Sequence, residues 1–226
     1  MFFFCQMNGT IYYIMPSSRT VTALVFSRKN IQEADRLVTF FTREEGLIRV
    51  IAKGVRKIPS SRGGHLEPCT RVSAIIHESR TGIYAGNVET EEYFHGLRED
   101  ADAFSRACEQ VRLFHRLFDV HQPVPELFDA LMHAWRAYPD LSQEKRIVMD
   151  ATISLMLVQY AGVMPDARLW NTNNANDRSF AVMKYLAEHP DHASRIALSV
   201  QDAGQLQRAM KNLLARTLAD AAMVYS

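Results

Sequence analysis

Residues 35–55 read DRLVTFFTREEGLIRVIAKGV, and this segment carries the pattern that decides the N-terminal fold. Asp35–Thr42 is rich in Val, Leu, Thr and Phe, the residue types that favour strands. Glu44-Glu45-Gly46 follows, and its glycine supplies the positive φ that a hairpin turn needs. Leu47–Val55 is then predicted as the returning strand. The segment therefore predicts an antiparallel hairpin.

Three further strands are predicted around this hairpin: Thr20–Ser27, Arg71–Glu78 and Ile83–Thr90. A polar connection, Arg28–Glu33, precedes the hairpin, and a loop rich in Gly, Ser and Pro follows it over residues 59–68. Five closely spaced strands with one long loop favour a small barrel over βαβ units. We therefore expect a β-barrel domain over residues 17–95.

The period of the apolar residues changes to that of helices after Gly96. The predicted helices are Leu97–Val120, Pro125 to Tyr138, Glu144–Gly162, Ser179–His189 and Ser199–Tyr225. Glu144–Gly162 is the most apolar of them and is expected to be the buried central helix. Residues 96–226 are thus predicted to form an all-α domain, and the fold class is α+β, a five-stranded barrel followed by helices.

Residues 1–16 form a short apolar leader that lacks the basic region and the cleavage site of a signal peptide. We expect this leader to be disordered or absent from the native chain, with translation beginning at Met15. No apolar run approaches the ~20 residues needed to span a bilayer. The protein is therefore expected in the cytoplasm.

The formal net charge of the 226 residues is +1, so the distribution of charge is more informative than its sum. Residues 17–95 contain 12 Lys and Arg against 9 Asp and Glu, whereas residues 96–226 contain 14 against 16. An acid-free run of cations comprises Arg49, Lys53, Arg56, Lys57 and Arg62. Such clustering is typical of a protein that binds a polyanion, although solvated surface charges give the same pattern. These five residues are the candidate nucleic-acid-binding set.

Alternation along the predicted strand Leu47–Val55 predicts which of its side chains face outward. Ile48, Val50 and Ala52 fit the barrel core, which leaves Arg49 and Lys53 on the outside. Phe40, Phe41 and Tyr84 could stack on bases as in single-strand binders. Aromatic residues in strands more often belong to the core, however, so no aromatic residue is assigned to the site.

The sequence contains no recognisable catalytic or metal-binding pattern. GxxxxGK[ST], GxGxxG and GxSxG motifs are absent, and the eight histidines form no HExxH. The three cysteines, Cys5, Cys69 and Cys108, lie too far apart for a CxxC site. We therefore expect a protein that is not an enzyme and that uses no cofactor or metal.

Several short motifs stand in a fixed order through the barrel. They are E-x-D-R at residues 33–36, T-R-E-x-G at 42–46, A-K-G-x-R-K at 52–57, S-R at 61–62 and L-x-P at 66–68. This ordered set resembles the RecO family of bacterial DNA-repair proteins over residues 20–95. In the helical half, Tyr160–Asp166 is similar to the glycine-containing helix end of that family.

The resemblance implies an N-terminal OB-fold, an α-helical domain and a role as a recombination mediator in the bacterial cytoplasm, associated with the nucleoid. Family members bind single- and double-stranded DNA and anneal complementary strands. They cooperate with RecR and with single-stranded-DNA-binding protein, so that the RecA recombinase can load. An OB-fold adaptor that holds only proteins remains an alternative, and an uncharacterised hydrolase is a more distant one.

Two features of the helical half bear on this resemblance. Many family members carry a four-cysteine zinc site in a loop that corresponds here to Arg168–Asn174, which has no cysteine, so this chain is expected to be zinc-free. Arg112 and Arg116 lie one helical turn apart beside an apolar stripe. Such a groove suits the acidic, apolar C-terminal tail of single-stranded-DNA-binding protein, although ordinary helix-surface charges would look the same.

Overall fold

The computed structural model describes residues 3–7, 10–14, 18–56, 61–166, 170 and 177–224. The chain divides into two compact units, Met1–Tyr93 and Phe94–Ser226. At the start of the first unit, strands β1 (Phe3–Met7) and β2 (Thr10–Ile14) pair as a two-stranded antiparallel sheet.

The rest of the first unit is a closed five-stranded barrel. Its strands are β3 (Ser18–Ile31), β4 (Asp35–Thr42), β5 (Gly46–Ala52), β6 (Arg71–Ser79) and β7 (Gly82–Glu92). They follow one another around the barrel in the order β3-β4-β5-β7-β6. Neighbours are antiparallel except β5 and β7, which pair in parallel through Val50 with Ile83 and Ile51 with Tyr84. This is the predicted OB-fold.

Alternating residues of each strand fill the barrel. Ile48, Val50 and Ala52 of β5 are buried in one cluster with Val38 and Phe40 of β4, as the alternation predicts. Gly46 has a φ of 71°, the left-handed conformation that the predicted turn between β4 and β5 requires. Strand β4 has the predicted bounds, so the hairpin quoted above forms as expected.

One loop prediction was wrong in part, and a second loop contains local structure. Arg28–Ile31, expected in a polar connection, continues β3 and pairs with β4, and only Gln32, Glu33 and Ala34 form the turn. The long loop after β5 contains a 3₁₀ helix over Ser61–Leu66. His65 in this helix accepts a hydrogen bond at Nδ1 from the Thr90 backbone N–H at 3.2 Å, which ties the loop to β7.

The second unit consists of helices around a central apolar one. The α-helices are α1 (His95–Glu99), α2 (Ala101–Leu117), α3 (Pro125–Ala137), α4 (Gln143–Tyr160), α5 (Asp177–Glu188) and α6 (Val200–Val224). Leu155, Leu157 and Val158 of α4 are fully buried, as expected of the central helix. Gly162, with a φ of 71°, follows its C-terminal end.

The single helix predicted over Leu97–Val120 is wrong, because the chain leaves the helical conformation at Asp100. Asp100 has an extended φ and ψ, and its Oδ1 accepts a hydrogen bond from the Ala103 N–H at 3.0 Å. It is therefore the N-cap of α2. None of the described helices has the length and apolar character to cross a membrane.

Candidate nucleic-acid interface

Arg49 lies on the outside of the barrel in the middle of β5. Its neighbours Ile48 and Val50 are fully buried, whereas its own side chain is exposed. Its cross-strand partner is Thr39 of β4. Among the described residues, no acid lies within ion-pair distance of the Arg49 guanidinium, so its charge is available to a ligand.

The turn after β5 presents two further cations, and hydrogen bonds to the β3–β4 turn fix its shape. The Gly54 N–H donates to Asp35 Oδ1 at 2.8 Å, and the Arg56 N–H donates to the Ala34 carbonyl at 3.1 Å. Gly54 has a φ of 67°, which favours glycine at this corner. The exposed side chains of Lys53 and Arg56 therefore project from a braced turn.

The structure describes only part of the remaining predicted set. Lys57 lies outside the described residues, and Arg62 belongs to the 3₁₀ helix that His65 ties to β7, with its side chain outside the description. The structure thus brings Arg49, Lys53 and Arg56 to one strand and its turn.

A second group of cations meets at the end of the barrel next to Arg56. The Arg56 Nη1 donates to the Gln32 carbonyl at 3.3 Å, and no carboxylate of the described residues forms an ion pair with it. Burial lowers the pKa of Arg36, and the charges of Arg28 and Arg56 lower it further. Glu67 opposes this effect and pairs with Arg28 at 2.5 Å. Residue alternation alone did not reveal this convergence, which depends on β3 continuing to Ile31.

An outward row of side chains crosses the barrel beside Arg49. In register across β3, β4, β5 and β7, this row comprises Lys29, Leu37, Ile51 and Tyr84. Lys29 is exposed, and the other three are half-buried. The Lys53 Nζ lies 4.7 Å from the centroid of the Tyr84 ring. The outer face thus combines cations with apolar and aromatic surface, the composition that single-strand binders use.

The aromatic residues weighed in the sequence separate cleanly in the structure. Phe40 and Phe41 are both 0% exposed, so neither can reach a base. Tyr84 instead lies between the inward-facing Ile83 and Ala85 and points to the outside. The sequence left Tyr84 unassigned, because a tyrosine in a strand suits either side of a barrel.

Other barrel arginines are neutralised by acids of the same unit. Arg19 donates from Nε and Nη2 to the two carboxylate oxygens of Glu45, both at 2.6 Å, and from Nη1 to Glu78 at 3.1 Å. Arg71 lies within 3.5 Å of carboxylate oxygens of Glu91 and Glu92. These arginines support the barrel, and their charge does not extend the cationic face.

Arg112 and Arg116 line a groove of about 380 Å³ between α2, α4 and α6. Its apolar lining comprises Leu113, Ile147, Ala151, Met210, Leu214 and Leu218. Lys211 of α6 adds a third cation to the lining. Arg112 is an exposed residue whose Nη2 lies 3.8 Å from Glu109 Oε1, too long for a strong pair. The groove therefore combines an apolar floor with an exposed basic rim.

A buried polar network forms one wall of this groove. Tyr138, which is 0% exposed, donates its hydroxyl proton to Asp150 Oδ1 at 2.5 Å. Arg106 also pairs with Asp150, and Gln110 donates to the Tyr138 hydroxyl. Burial raises the pKa of Asp150, while the Tyr138 hydrogen bond and Arg106 lower it. This network fixes α2 and α4, the helices that carry the groove.

A second arginine fastens the start of α2 to α4. Arg146 is 7% exposed and donates to Asp100 at 2.5 Å and to Asp102 at 3.0 Å. The hydrogen bond from Arg146 lowers the pKa of Asp100 to about 2. The carboxylates therefore stay ionised and the helix start stays fixed over the neutral range.

Within the described ranges, no group of three or more His, Cys, Asp or Glu side chains is arranged to hold a metal ion. The loop expected to lack zinc, residues 168–174, lies outside the described residues apart from Trp170. Trp170 donates from Nε1 to the Pro165 carbonyl at 2.9 Å and packs edge-on against Phe180. The zinc content of the protein stays a prediction.

Comparison with known protein families agrees with this geometry. Residues 15–91 match the family described as recombination protein O N terminal. The matched range spans the five barrel strands up to Glu91 and includes the exposed cations of β5 and its turn. The match identifies the barrel unit as an N-terminal domain of the recombination protein O type.

Proposed function

We propose that this protein is a mediator of DNA repair and recombination that binds single-stranded DNA on the outer face of its barrel. The RecO N-terminal domain supports a role in DNA repair and recombination. The observation that carries the DNA-binding proposal is the exposure of Arg49, Lys53 and Arg56 on one strand and its braced turn. OB-folds bind oligonucleotides on the face of their second and third strands, which here are β4 and β5.

The loops next to this face have suitable chemistry. OB-folds also use the loops between strands 1 and 2 and between strands 4 and 5. The first of these is the β3–β4 turn, which receives the hydrogen bonds of Gly54 and Arg56. The second is the β6–β7 turn, which carries the exposed Arg80. Arg56, which is bonded to the first of these loops, and Arg80 in the second therefore add cations beside the face of β5.

The salt dependence of binding measures how many of these cations contact phosphates. If Arg49, Lys53, Arg56, Lys57 and Arg62 each contact one phosphate, the slope of log K against log salt is about −3.5 for a single strand. Replacing Arg49, Lys53 and Arg56 together by Gln removes three contacts and flattens the slope by about 2. Binding to all sequences weakens alike, because phosphates carry no sequence information.

A matched control removes the same charge elsewhere. Lys145, Lys184 and Arg208 are exposed cations on the helices, and their combined change to Gln alters the net charge by the same amount. Anisotropy titrations of labelled single-stranded DNA at several salt concentrations compare the two triple variants. Equal slopes for both would place the DNA elsewhere, and no DNA binding by the wild type would favour the adaptor that holds only proteins.

The proposed activity is strand annealing without any chemical step. Annealing needs only that two complementary strands be held close and partly neutralised, which exposed cations accomplish. Purified protein should therefore accelerate the annealing of complementary oligonucleotides without ATP and in the presence of a metal chelator. Strict dependence on ATP would contradict this part of the proposal.

The groove lined by Arg112 and Arg116 is the proposed docking site for the acidic, apolar tail of single-stranded-DNA-binding protein. The apolar floor suits the hydrophobic residues of such a tail, and the cations suit its carboxylates. Changing Arg112 and Arg116 to Gln should weaken binding of a labelled tail peptide, whereas changing Lys145 and Lys184 should not. Equal binding by the two double variants would refute this assignment.

Cooperation with RecR and loading of RecA extend the same proposal. The measurement is RecA filament formation on DNA coated with single-stranded-DNA-binding protein, with and without this protein and RecR. Faster formation only when both are present supports the mediator role, and no acceleration argues against it.

A further inference from the structure

We propose that Tyr84 is a base-stacking residue for single-stranded nucleic acid, and that Lys53 uncovers its ring by moving to a phosphate. This inference rests on the proposed DNA binding and adds a contact to the bases, whereas the cations account only for contacts to the backbone. It concerns the half-buried ring beside β5.

The side chain of Tyr84 is directed outward by the barrel itself. Ile83 packs against the barrel core and Ala85 is part of it, so the residue between them faces the exterior. Its register neighbours are Ile51 of β5 and His77 of β6. The ring therefore lies on the outer face of paired β-strands and not on a loop.

Hydrogen bonds hold the far end of the ring in place. The Tyr84 hydroxyl lies 2.8 Å from Thr81 Oγ1 in the β6–β7 turn. Within that turn, the Ser79 hydroxyl donates to the Gly82 carbonyl at 3.1 Å and accepts from the Thr81 N–H at 3.3 Å. The position of the ring is thus fixed before a ligand arrives, which reduces the entropy lost on binding.

The ring is next to the cations that would hold the backbone. The Lys53 Nζ lies 4.7 Å from the ring centroid, within the range of a cation–π contact. Arg49 projects from the same side of β5, two residues before Ile51. A phosphate held by these cations brings its base to the ring.

Lys53 and a base compete for the same face of the ring. An exposed cation–π contact is weaker than base stacking on an aromatic side chain. A lysine side chain is long and flexible, so Lys53 can exchange the ring for a phosphate oxygen while a base takes its place. The stacked ring tolerates every base, because each base has a π face.

The test compares DNA with and without bases. Tyr84→Leu should weaken binding of oligo-dT by about tenfold, whereas Tyr84→Phe should bind nearly as the wild type does. An abasic oligonucleotide of the same length should bind wild type and Tyr84→Leu equally, because it offers only phosphates. The salt slope should be the same for all three proteins. Tyr185→Leu, at an exposed tyrosine of α5, is the matched control and should change neither affinity.

A second variant makes the test independent of how well Tyr84→Leu folds. Tyr84→Trp adds an indole whose fluorescence should be quenched by oligo-dT and not by the abasic oligonucleotide. Wild-type affinity for oligo-dT in Tyr84→Leu, or equal quenching by both ligands, would overturn the inference while DNA binding stands. If the wild type binds neither oligonucleotide, the proposed function fails and this inference fails with it.

Discussion

Replacing Tyr138 by Phe isolates the contribution of one buried hydroxyl to the helical unit. The ring is 0% exposed and stays in place, but Asp150 loses the donor at 2.5 Å, and Gln110 Nε2 keeps only Asp150 Oδ1, at 3.3 Å, as an acceptor. A hydrogen bond to a charged group is worth about 1.5–3 kcal/mol, and Asp150 keeps Arg106 and Gln110 as its remaining partners. We expect the free energy of unfolding to fall by about 2–3 kcal/mol. For a unit of this size, Tm should fall by roughly 6–12 °C.

The loss should also depend on pH. Burial already raises the pKa of Asp150, and the Tyr138 hydroxyl is one of the groups that lower it. Without the hydroxyl, the folded variant holds the Asp150 proton over a wider pH range than the unfolded chain does. The stability that protonated Asp150 contributes to the variant is therefore lost as the pH rises from the ordinary carboxyl pKa through the raised pKa of Asp150. The deficit relative to wild type should be smaller near pH 4 than near pH 7.5.

Thermal unfolding followed by far-UV circular dichroism at the two pH values measures both effects. Tyr185→Phe is the matched control, since Tyr185 is 42% exposed and its hydroxyl bonds His192 Nδ1 at 2.7 Å near the surface. This control should change stability by no more than about 0.5 kcal/mol. If the two variants unfold at the same temperature, the buried network does not stabilise the helices as argued.

Three further outcomes are expected. Gly46→Ala should lower the free energy of unfolding by about 1 kcal/mol, because Gly46 has a φ of 71°. Gly204→Ala in α6 should raise it by about 0.5–1 kcal/mol, because nothing lies within 4 Å of the new methyl group. Denaturant titrations that show the same sign for both variants would refute this expectation. Arg146 lowers the pKa of Asp100 to about 2, so the stability that this ion pair contributes is present above the ordinary carboxyl pKa and is lost as the pH falls towards 2. Arg146→Gln should therefore flatten the dependence of Tm on pH in the acid range. An unchanged dependence would contradict the pairing. Metal analysis of the purified protein should find less than one zinc per chain, and stoichiometric zinc would contradict the reasoning from the cysteine-free loop.

Where burial alternates strictly, the sequence predicts the fold well. The bounds of β4 and the inward set of β5 follow from alternation, because a residue on the wrong side of a small barrel would leave its core. The same logic placed Arg49 and Lys53 outside. The resemblance to the RecO family came from the order of the short motifs along the barrel. Composition did not indicate it, because a net charge of +1 suggests no particular partner.

The missed features lie where burial does not constrain the residue type. Arg28–Ile31 extends β3 into solvent, and an exposed strand end tolerates the polar residues that usually indicate a loop. The break at Asp100 was hidden because the apolar spacing continues across it, although an aspartate before a helical run is a capping signal.

The parallel contact between β5 and β7 has a consequence for how the site is assembled. It joins Val50 to Ile83 and Ile51 to Tyr84, residues 33 positions apart in the chain, whereas the β4–β5 and β6–β7 hairpins are local. Local hairpins form sooner than distant pairings because less chain entropy is lost in closing them. Arg49 belongs to β5 and Tyr84 to β7, so the surface that they form together exists only after these two strands have paired and the barrel has closed. A nucleic acid that contacts both strands therefore also stabilises the closed barrel relative to the open one.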